Sequence, residues 1–161
     1  MVDLPPKGDE LGQIDPRALA SMAGLEFFQK AMAGELPLPT ICGTVPMRLH
    51  EVAFGKIVYE TRPTDQLLNP MGGVHGGYAM TVLDSALGCA VHSTLPVGRA
   101  YATLELKTNL VKAIRADAAS LFAEGRVVQS GGRVATAEGR LTDGEGVVYA
   151  FATTTCLVFD L

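Results

Sequence analysis

The amino-acid sequence predicts an α+β fold: a curved antiparallel sheet wrapped around one central helix, with a helical extension at the N-terminus. Two observations lead there. Residues 76–92 are an apolar stretch rich in glycine and alanine at helical spacing. Such a stretch fits a helix buried on most sides and approached closely by other backbone. Beyond Pro96 the hydrophobic period changes to two, and the chain continues as segments divided by glycine-rich turns. That is the pattern of antiparallel strands.

The elements follow in order. Residues 1–15 mix prolines, glycines and charges and read as a loose arm. Asp15 before Pro16 is a helix cap with proline at the first helical position. Leu19, Met22, Leu25, Phe28 and Met32 recur at helical spacing, so the spacing predicts one amphipathic helix over 16–33, ended by Gly34. Pro37 and Pro39 mark a linker, and the chain divides into a 1–40 arm and helix and a 41–161 domain. Two strands are expected at 45–51 and 53–62, joined tightly around Glu51; the second is rich in strand formers. The glycine-rich turn Asn69–Gly77 leads into a helix near 76–92. Glycine weakens helices, so tertiary packing must hold this one. In 101–111, Ala102, Leu104, Leu106, Thr108 and Leu110 are expected on one face, with Tyr101, Thr103, Glu105, Lys107 and Asn109 on the other. Further strands are expected at 118–129, 132–142 and 147–159, with hairpin turns at Ser130-Gly131-Gly132 and Asp143-Gly144-Glu145-Gly146.

Composition narrows the function. Hydrophobic residues are 48% and charged residues 19%, enough apolar content for a packed core. The net charge of −4 argues against nucleic acid as a partner. No apolar run reaches the ~20 residues that span a bilayer, so no membrane partner is expected. The N-terminus shows neither a basic nor an apolar leader region, which points to the cytoplasm. Cys42, Cys89 and Cys156 are widely spaced and make neither a metal pattern nor a disulfide framework. They are expected to be reduced and buried, and no metal or other cofactor is implied.

The segment Asn69-Pro-Met-Gly-Gly-Val-His75-Gly76-Gly77 through Asp84 carries the chemistry. Asp84 stands two turns inside an apolar helix, with Met80, Leu87 and Val91 at helical spacing around it. A carboxylate there is costly unless it is used or paired, and it lies past the first turn, where helix-dipole effects act. A general base and a purely structural carboxylate both fit. The turn before the helix exposes backbone N–H groups where negative charge is favoured. Gly76 and Gly77 suit both a tight turn and an oxyanion donor. They do not make a phosphate loop, since no Gly-Lys-Ser/Thr follows. His75 invites a proton-transfer role or, more plainly, pins the turn by hydrogen bonds. Asn69, ahead of Pro70, is a turn residue with a side chain able to bond. Thr103 reads as an ordinary strand threonine or a water-positioning hydroxyl. His50 and His92 have no partner at a telling spacing, and Arg115, Arg126, Arg133 and Arg140 are solvated strand residues by default.

Asn69, Val74-His75-Gly76-Gly77 and Leu83-Asp84-Ser85-Ala86, with Thr103 in the next strand, resemble the signature of the PaaI-type acyl-CoA thioesterases of the hotdog fold. The similarity covers about residues 41–161. It implies hydrolysis of acyl-CoA thioesters without metal or redox cofactor. The residue at Gly76 would offer its N–H to the thioester carbonyl, and Asp84 would act as general base or nucleophile. Thr103 would place the water, and Asn69 would orient carbonyl or water. His75 and Gly77 join the substrate-binding set. Two rival readings are a hotdog enoyl-thioester hydratase and a non-catalytic acyl-CoA-binding domain. The hydratase needs a catalytic histidine within the helix, and His75 lies at the turn instead. Gly76 and Asp84 are eight residues apart, ~12 Å along a helix axis, so a site using both needs two chains. The resemblance likewise implies a homo-oligomer, a dimer at least and dimers pairing into tetramers.

Overall fold

A computed structural model describes residues 11–161. Helix α4 (Gly76–His92) lies against the sheet built from β1 (Met47–Ala53), β2 (Lys56–Thr61), β3 (Arg99–Leu110), β4 (Leu121–Ser130), β5 (Val134–Asp143) and β6 (Val148–Asp160). All pairings are antiparallel, and the strand order is β1-β2-β4-β5-β6-β3. The sheet curls around α4, as the resemblance implies. Ala79, Val82, Leu83, Ala86, Leu87, Ala90 and Val91 are sealed in the core.

Two glycines permit that close approach. Gly125 of β4 and Gly139 of β5 are register partners. A Cβ at Gly125 would overlap the Ala86 carbonyl, and one at Gly139 would strike the Leu87 side chain. The helix backbone therefore rests directly on the sheet, and its small residues are what that contact demands.

The hairpins at Gly131 and Asp143 form where expected. Gly131 N–H donates to Val134 O at 2.9 Å. Asp143 Oδ1 accepts from the N–H groups of Glu145 and Val147 at 3.0 and 2.9 Å.

Four expectations need correction. The helix expected over 16–33 is two helices, α1 (Pro16–Ala20) and α2 (Gly24–Met32). The break seats the chain on the end of α4: Gly24 N–H donates to Leu95 O at 3.0 Å, and a Cβ at Gly24 would overlap the His92 carbonyl oxygen. Residues 11–15 are not loose, since Gly12 N–H bonds Leu38 O at 2.9 Å; residues 1–10 of the expected arm lie outside the described residues. The β1–β2 turn falls at Phe54-Gly55, where Gly55 takes φ +72°, and Glu51 lies within β1. Just ahead of β1 the chain also forms a short helix, α3 (Ile41–Thr44).

The fourth correction concerns β3. The β3–β6 register shifts between Thr103 and Glu105, so Leu104 is an extra residue in the strand. Thr154 Oγ1 donates to Glu105 O at 2.6 Å beside the bulge. Strict alternation therefore fails: Thr103 faces α4, Leu106 packs on the core, and Leu104 is 59% exposed. Cys42 and Cys156 are buried free thiols, and Cys89 is a partly buried one. No helix among the described residues is long and apolar enough to cross a membrane.

Candidate active site

The turn before α4 is built by its own polar groups. Asn69 Oδ1 accepts from Met71 N–H at 2.9 Å and Gly73 N–H at 3.2 Å, closing the turn over Pro70. Asn69 N–H donates to Gly73 O at 2.7 Å, and Gly72 takes φ +81°. His75 N–H donates to Leu67 O at 2.8 Å. Its Nδ1 then accepts from Gly77 N–H at 2.9 Å and caps the helix. That bond assigns the imidazole proton to Nε2. A Cβ at Gly77 would crowd the same Nδ1 at 3.0 Å, so glycine leaves the cap undisturbed there.

The cap commits the Gly77 N–H and leaves the one before it. Gly76 N–H meets no acceptor among the described residues. It sits at the N-terminus of a 17-residue helix, where the orphan donors concentrate partial positive charge. Asn69, His75 and Gly76 line a cavity of about 260 Å³ together with Leu110, Lys112 and Tyr149. Lys112 Nζ stands 5.1 Å from the centre of the Tyr149 ring, a cation held at the rim.

The second group lies two turns along α4. Thr103 Oγ1 donates to Asp84 Oδ1 at 2.9 Å, which leaves Oδ2 without a side-chain partner among the described residues. Asp84 is half-buried, and with Gly77, Met80, Thr81 and Ser85 it makes the one stripe of α4 that the sheet leaves uncovered. Thr81 and Ser85 turn their hydroxyls back to the carbonyls of Gly77 and Thr81, at 2.9 and 3.1 Å. The carboxylate is thus the stripe's available polar group.

The expected residues therefore form two groups: Asn69, His75, Gly76 and Gly77 at the helix start, and Asp84 with Thr103 farther along. The intervening helix separates them by ~12 Å. Among the described residues no three of His, Cys, Asp and Glu lie together as a metal cluster. The sequence reading overlooked Lys112 and Tyr101. Lys112 is one charge after a strand, without a spacing signal. The Tyr101 ring rests on Gly88, where a Cβ would come within 2.6 Å of it. The pairing of bare Gly88 with a later aromatic was the available hint. Arg126 and Arg140 are strand residues as expected, whereas Arg115 and Arg133 lie outside the strands; Arg115 pairs with Asp117 and Arg126 with Glu124, both at the surface.

Comparison with known proteins agrees with this architecture. The family model of the thioesterase superfamily matches residues 71–150. A Ralstonia eutropha protein, described as a phenylacetic acid degradation-related thioesterase, is 30% identical with a TM-score of 0.74; the match covers 81% of this chain and 98% of that one. A Streptococcus mutans protein solved with bound acetyl-CoA is 27% identical with a TM-score of 0.65, over 71% of this chain and 89% of that one. The PaaI protein of the E. coli phenylacetic acid degradation operon shares the fold, with a TM-score of 0.72 at 17% identity over 86% of this chain and 96% of that one. A Halobacterium salinarum protein named as an esterase is 42% identical over 65 residues, or 39% of this chain, and the chain spans 41% of the length of that curated relative.

Proposed function

The chain belongs to the thioesterase superfamily, and on that premise we propose that it hydrolyses acyl-CoA thioesters to a free acid and coenzyme A at a site shared by two subunits. The observation that carries this is an unpartnered Gly76 N–H at a helix N-terminus, opening on a cavity, on the same helix as one exposed-stripe carboxylate. The thioester carbonyl oxygen takes the Gly76 N–H, with the helix N-terminus favouring the negative charge that develops. Asp84 takes a proton from water as that water adds to the carbonyl carbon, or adds to the carbon itself, in which case loss of the thiolate leaves an acyl–Asp84 anhydride that a water then hydrolyses to the free acid and the restored carboxylate. Thr103 holds one Asp84 oxygen and so aims the other. The tetrahedral intermediate collapses by breaking the C–S bond. Coenzyme A leaves as thiolate, with little need of an acid because an ordinary thiol pKa is ~8.5, and then takes up the proton that water released. Asn69 and His75 shape the turn that presents Gly76, and Gly77 lets substrate approach bare backbone. Lys112, at the rim of the same cavity, offers a cation to the phosphate-bearing end of coenzyme A.

The ~12 Å between Gly76 and Asp84 makes a single-chain site implausible for atoms that must meet at ~3–3.5 Å. Pairing of two chains is supported by β3, an edge strand with exposed Leu104 and Leu110, since long apolar edges pair or aggregate. The exposed stripe of α4, with Met80 41% exposed beside Asp84, lies on the same side. Two such dimers pair further into a tetramer in this reading, and the protein works in the cytoplasm.

The test is release of free thiol from a panel of acyl-CoAs. Turnover is expected on saturated acyl-CoAs without added metal. Stoichiometric binding with no thiol released would favour a carrier, and water added across an enoyl-CoA double bond would favour a hydratase. Single-turnover hydrolysis in heavy-oxygen water separates base from nucleophile, since only direct attack can leave label in the Asp84 carboxylate.

A further inference from the structure

A separate cavity of about 550 Å³ begins one turn of α4 beyond Asp84, at Cys89 and Tyr101. Its volume is within the ~300–1,000 Å³ of small-ligand pockets. Three observations tie it to the active site and give its chemistry.

The first is position. Tyr101 and Thr103 are two residues apart on β3, ahead of the bulge, and α4 runs antiparallel to that strand. Gly76 lies beside Leu110, Asp84 beside Thr103, and Gly88 beside Tyr101. Cys89 and Tyr101, the near wall of this cavity, thus come next after Asp84 and Thr103 along α4 and β3.

The second is polarity. The walls are apolar and aromatic, with Phe27, Phe28, Tyr59 and Tyr101 prominent. The polar atoms near Asp84 are engaged with one another: Tyr59 Oη and Cys89 Sγ are 3.4 Å apart. Burial first, and then the Asp84 charge, push the Cys89 thiol up to about 11, so it is a neutral wall rather than a nucleophile.

The third is the roof. Leu19 of α1 and Phe27, Phe28 and Ala31 of α2 line the cavity on the side of the N-terminal extension. The N-terminal extension is held there by the Gly24–Leu95 bond. Phe27 and Phe28 meet edge to face at 5.0 Å, and each meets the His92 ring in the same way. Such packing fixes the height of the roof.

We propose that this cavity receives the acyl group of the thioester, and that Leu19, Phe27 and Ala31 of the N-terminal extension set its length, selecting a hydrophobic acyl group well beyond acetyl. The inference rests on the thioester-hydrolase reading above. Within the shared site, the acyl group enters the cavity of the subunit that supplies Asp84.

The experiment measures kcat/KM for acetyl-, hexanoyl-, octanoyl- and decanoyl-CoA in the full chain and in Leu19→Trp, Ala31→Leu and Phe27→Ala. One methylene in a hydrophobic pocket is worth about tenfold or more. The wild type should favour octanoyl- over acetyl-CoA by at least that factor. Leu19→Trp and Ala31→Leu should lose about tenfold or more on octanoyl-CoA with acetyl-CoA nearly unchanged, while Phe27→Ala should move the optimum to longer chains. Folding is checked by thermal melts, and two shrinking variants are used because Ala31 packs tightly in α2. Calorimetric binding of octanoate is measured in parallel, since it needs no turnover. Thiol release whose chain-length profile is the same in all folded variants would overturn the acyl cavity and leave the hydrolase reading standing. Octanoate binding that weakens in Leu19→Trp, in a protein that releases no thiol, would uphold the cavity and overturn the hydrolase reading. Octanoate binding unaffected by every variant would overturn the cavity outright.

Discussion

Asp84 is the one carboxylate on α4, and Thr103 grips one of its oxygens at 2.9 Å. Asp84→Asn preserves size and can still accept that hydrogen bond through its carbonyl, so the fold should hold while the proposed base is lost. We expect kcat to fall by at least ~100-fold, the scale for removing a general base. Unchanged melting with near-normal turnover would remove Asp84 from the chemistry. His92 makes a second prediction at this scale. It is buried at the end of α4 among the rings of Phe27, Phe28 and Tyr101, and burial lowers its pKa. Tyr101, the titratable group packed on it, is held neutral by its own raised pKa, caused first by burial. The unfolded chain therefore binds the proton more readily than the folded one. The contribution to stability is full above the unfolded value of ~6.5 and is lost as pH falls below it, levelling off under the lower folded value. The melting temperature of His92→Phe should fall less than that of the wild type between about pH 7 and pH 5. Parallel curves for the two proteins would assign the acid sensitivity elsewhere. The legibility of these residues differs for a physical reason. Asp84 and Gly76 stood out because a charge in an apolar helix and glycines at its start break local rules. His92, Tyr101 and Lys112 break none, and their importance comes from neighbours distant in the chain.

At the scale of elements, the helix expected near 76–92 is α4, Gly76–His92. Its apolar circumference and glycine-rich start leave little choice of boundary. The N-terminal helix and β3 were not readable in the same way, because tertiary contacts override local periodicity in both. The hydrophobic spacing from Leu19 to Met32 runs smoothly across the break at Ser21–Ala23. Only the docking of Gly24 onto the Leu95 and His92 carbonyls shows why the helix stops and restarts. In β3 the inserted Leu104 leaves a clean alternation in sequence and a changed one in space. Gly24 supports a prediction that separates docking from helix propensity. Alanine is the better helix former by ~1 kcal/mol, so propensity alone makes Gly24→Ala stabilising. A Cβ there overlaps backbone that cannot move aside cheaply. We expect Gly24→Ala to destabilise by ~1–3 kcal/mol in denaturant titration, the usual cost of overpacking. Gly144→Ala meets nothing within 4 Å and should stay within about 0.5 kcal/mol of wild type. A more stable Gly24→Ala would mean that α2 does not dock as described.

For the whole molecule, the two halves of the proposed site lie ~12 Å apart along one helix, which is why the proposed reading draws them from two chains. The cavity at Gly76 is lined by Leu110, at the far end of β3 from the Asp84–Thr103 pair. An antiparallel β3–β3 pairing about a two-fold axis near Leu106 and Lys107 would set Leu110 opposite Thr103 of the partner subunit. The Gly76 N–H of one chain would then face the carboxylate of the other. Such an interface is isologous and makes two equivalent sites. Subunit mixing tests it directly. Gly76→Val misplaces the oxyanion donor, and its side chain meets Leu110, where a Cβ would come within 2.6 Å. That contact is with the end of a flexible side chain, so the variant should fold. Asp84→Asn removes the proposed base. Each homodimer carries its defect in both sites and should be inactive. A hybrid dimer with shared sites gathers both defects into one site and leaves the other intact, so mixed samples should recover a substantial fraction of wild-type turnover as chains exchange. If each site belonged to a single chain, every site in the hybrid would carry one defect. Differently tagged chains purified through both tags establish that hybrids have formed. Inactive hybrids of proven composition would overturn the shared site and require Gly76 and Asp84 to act separately.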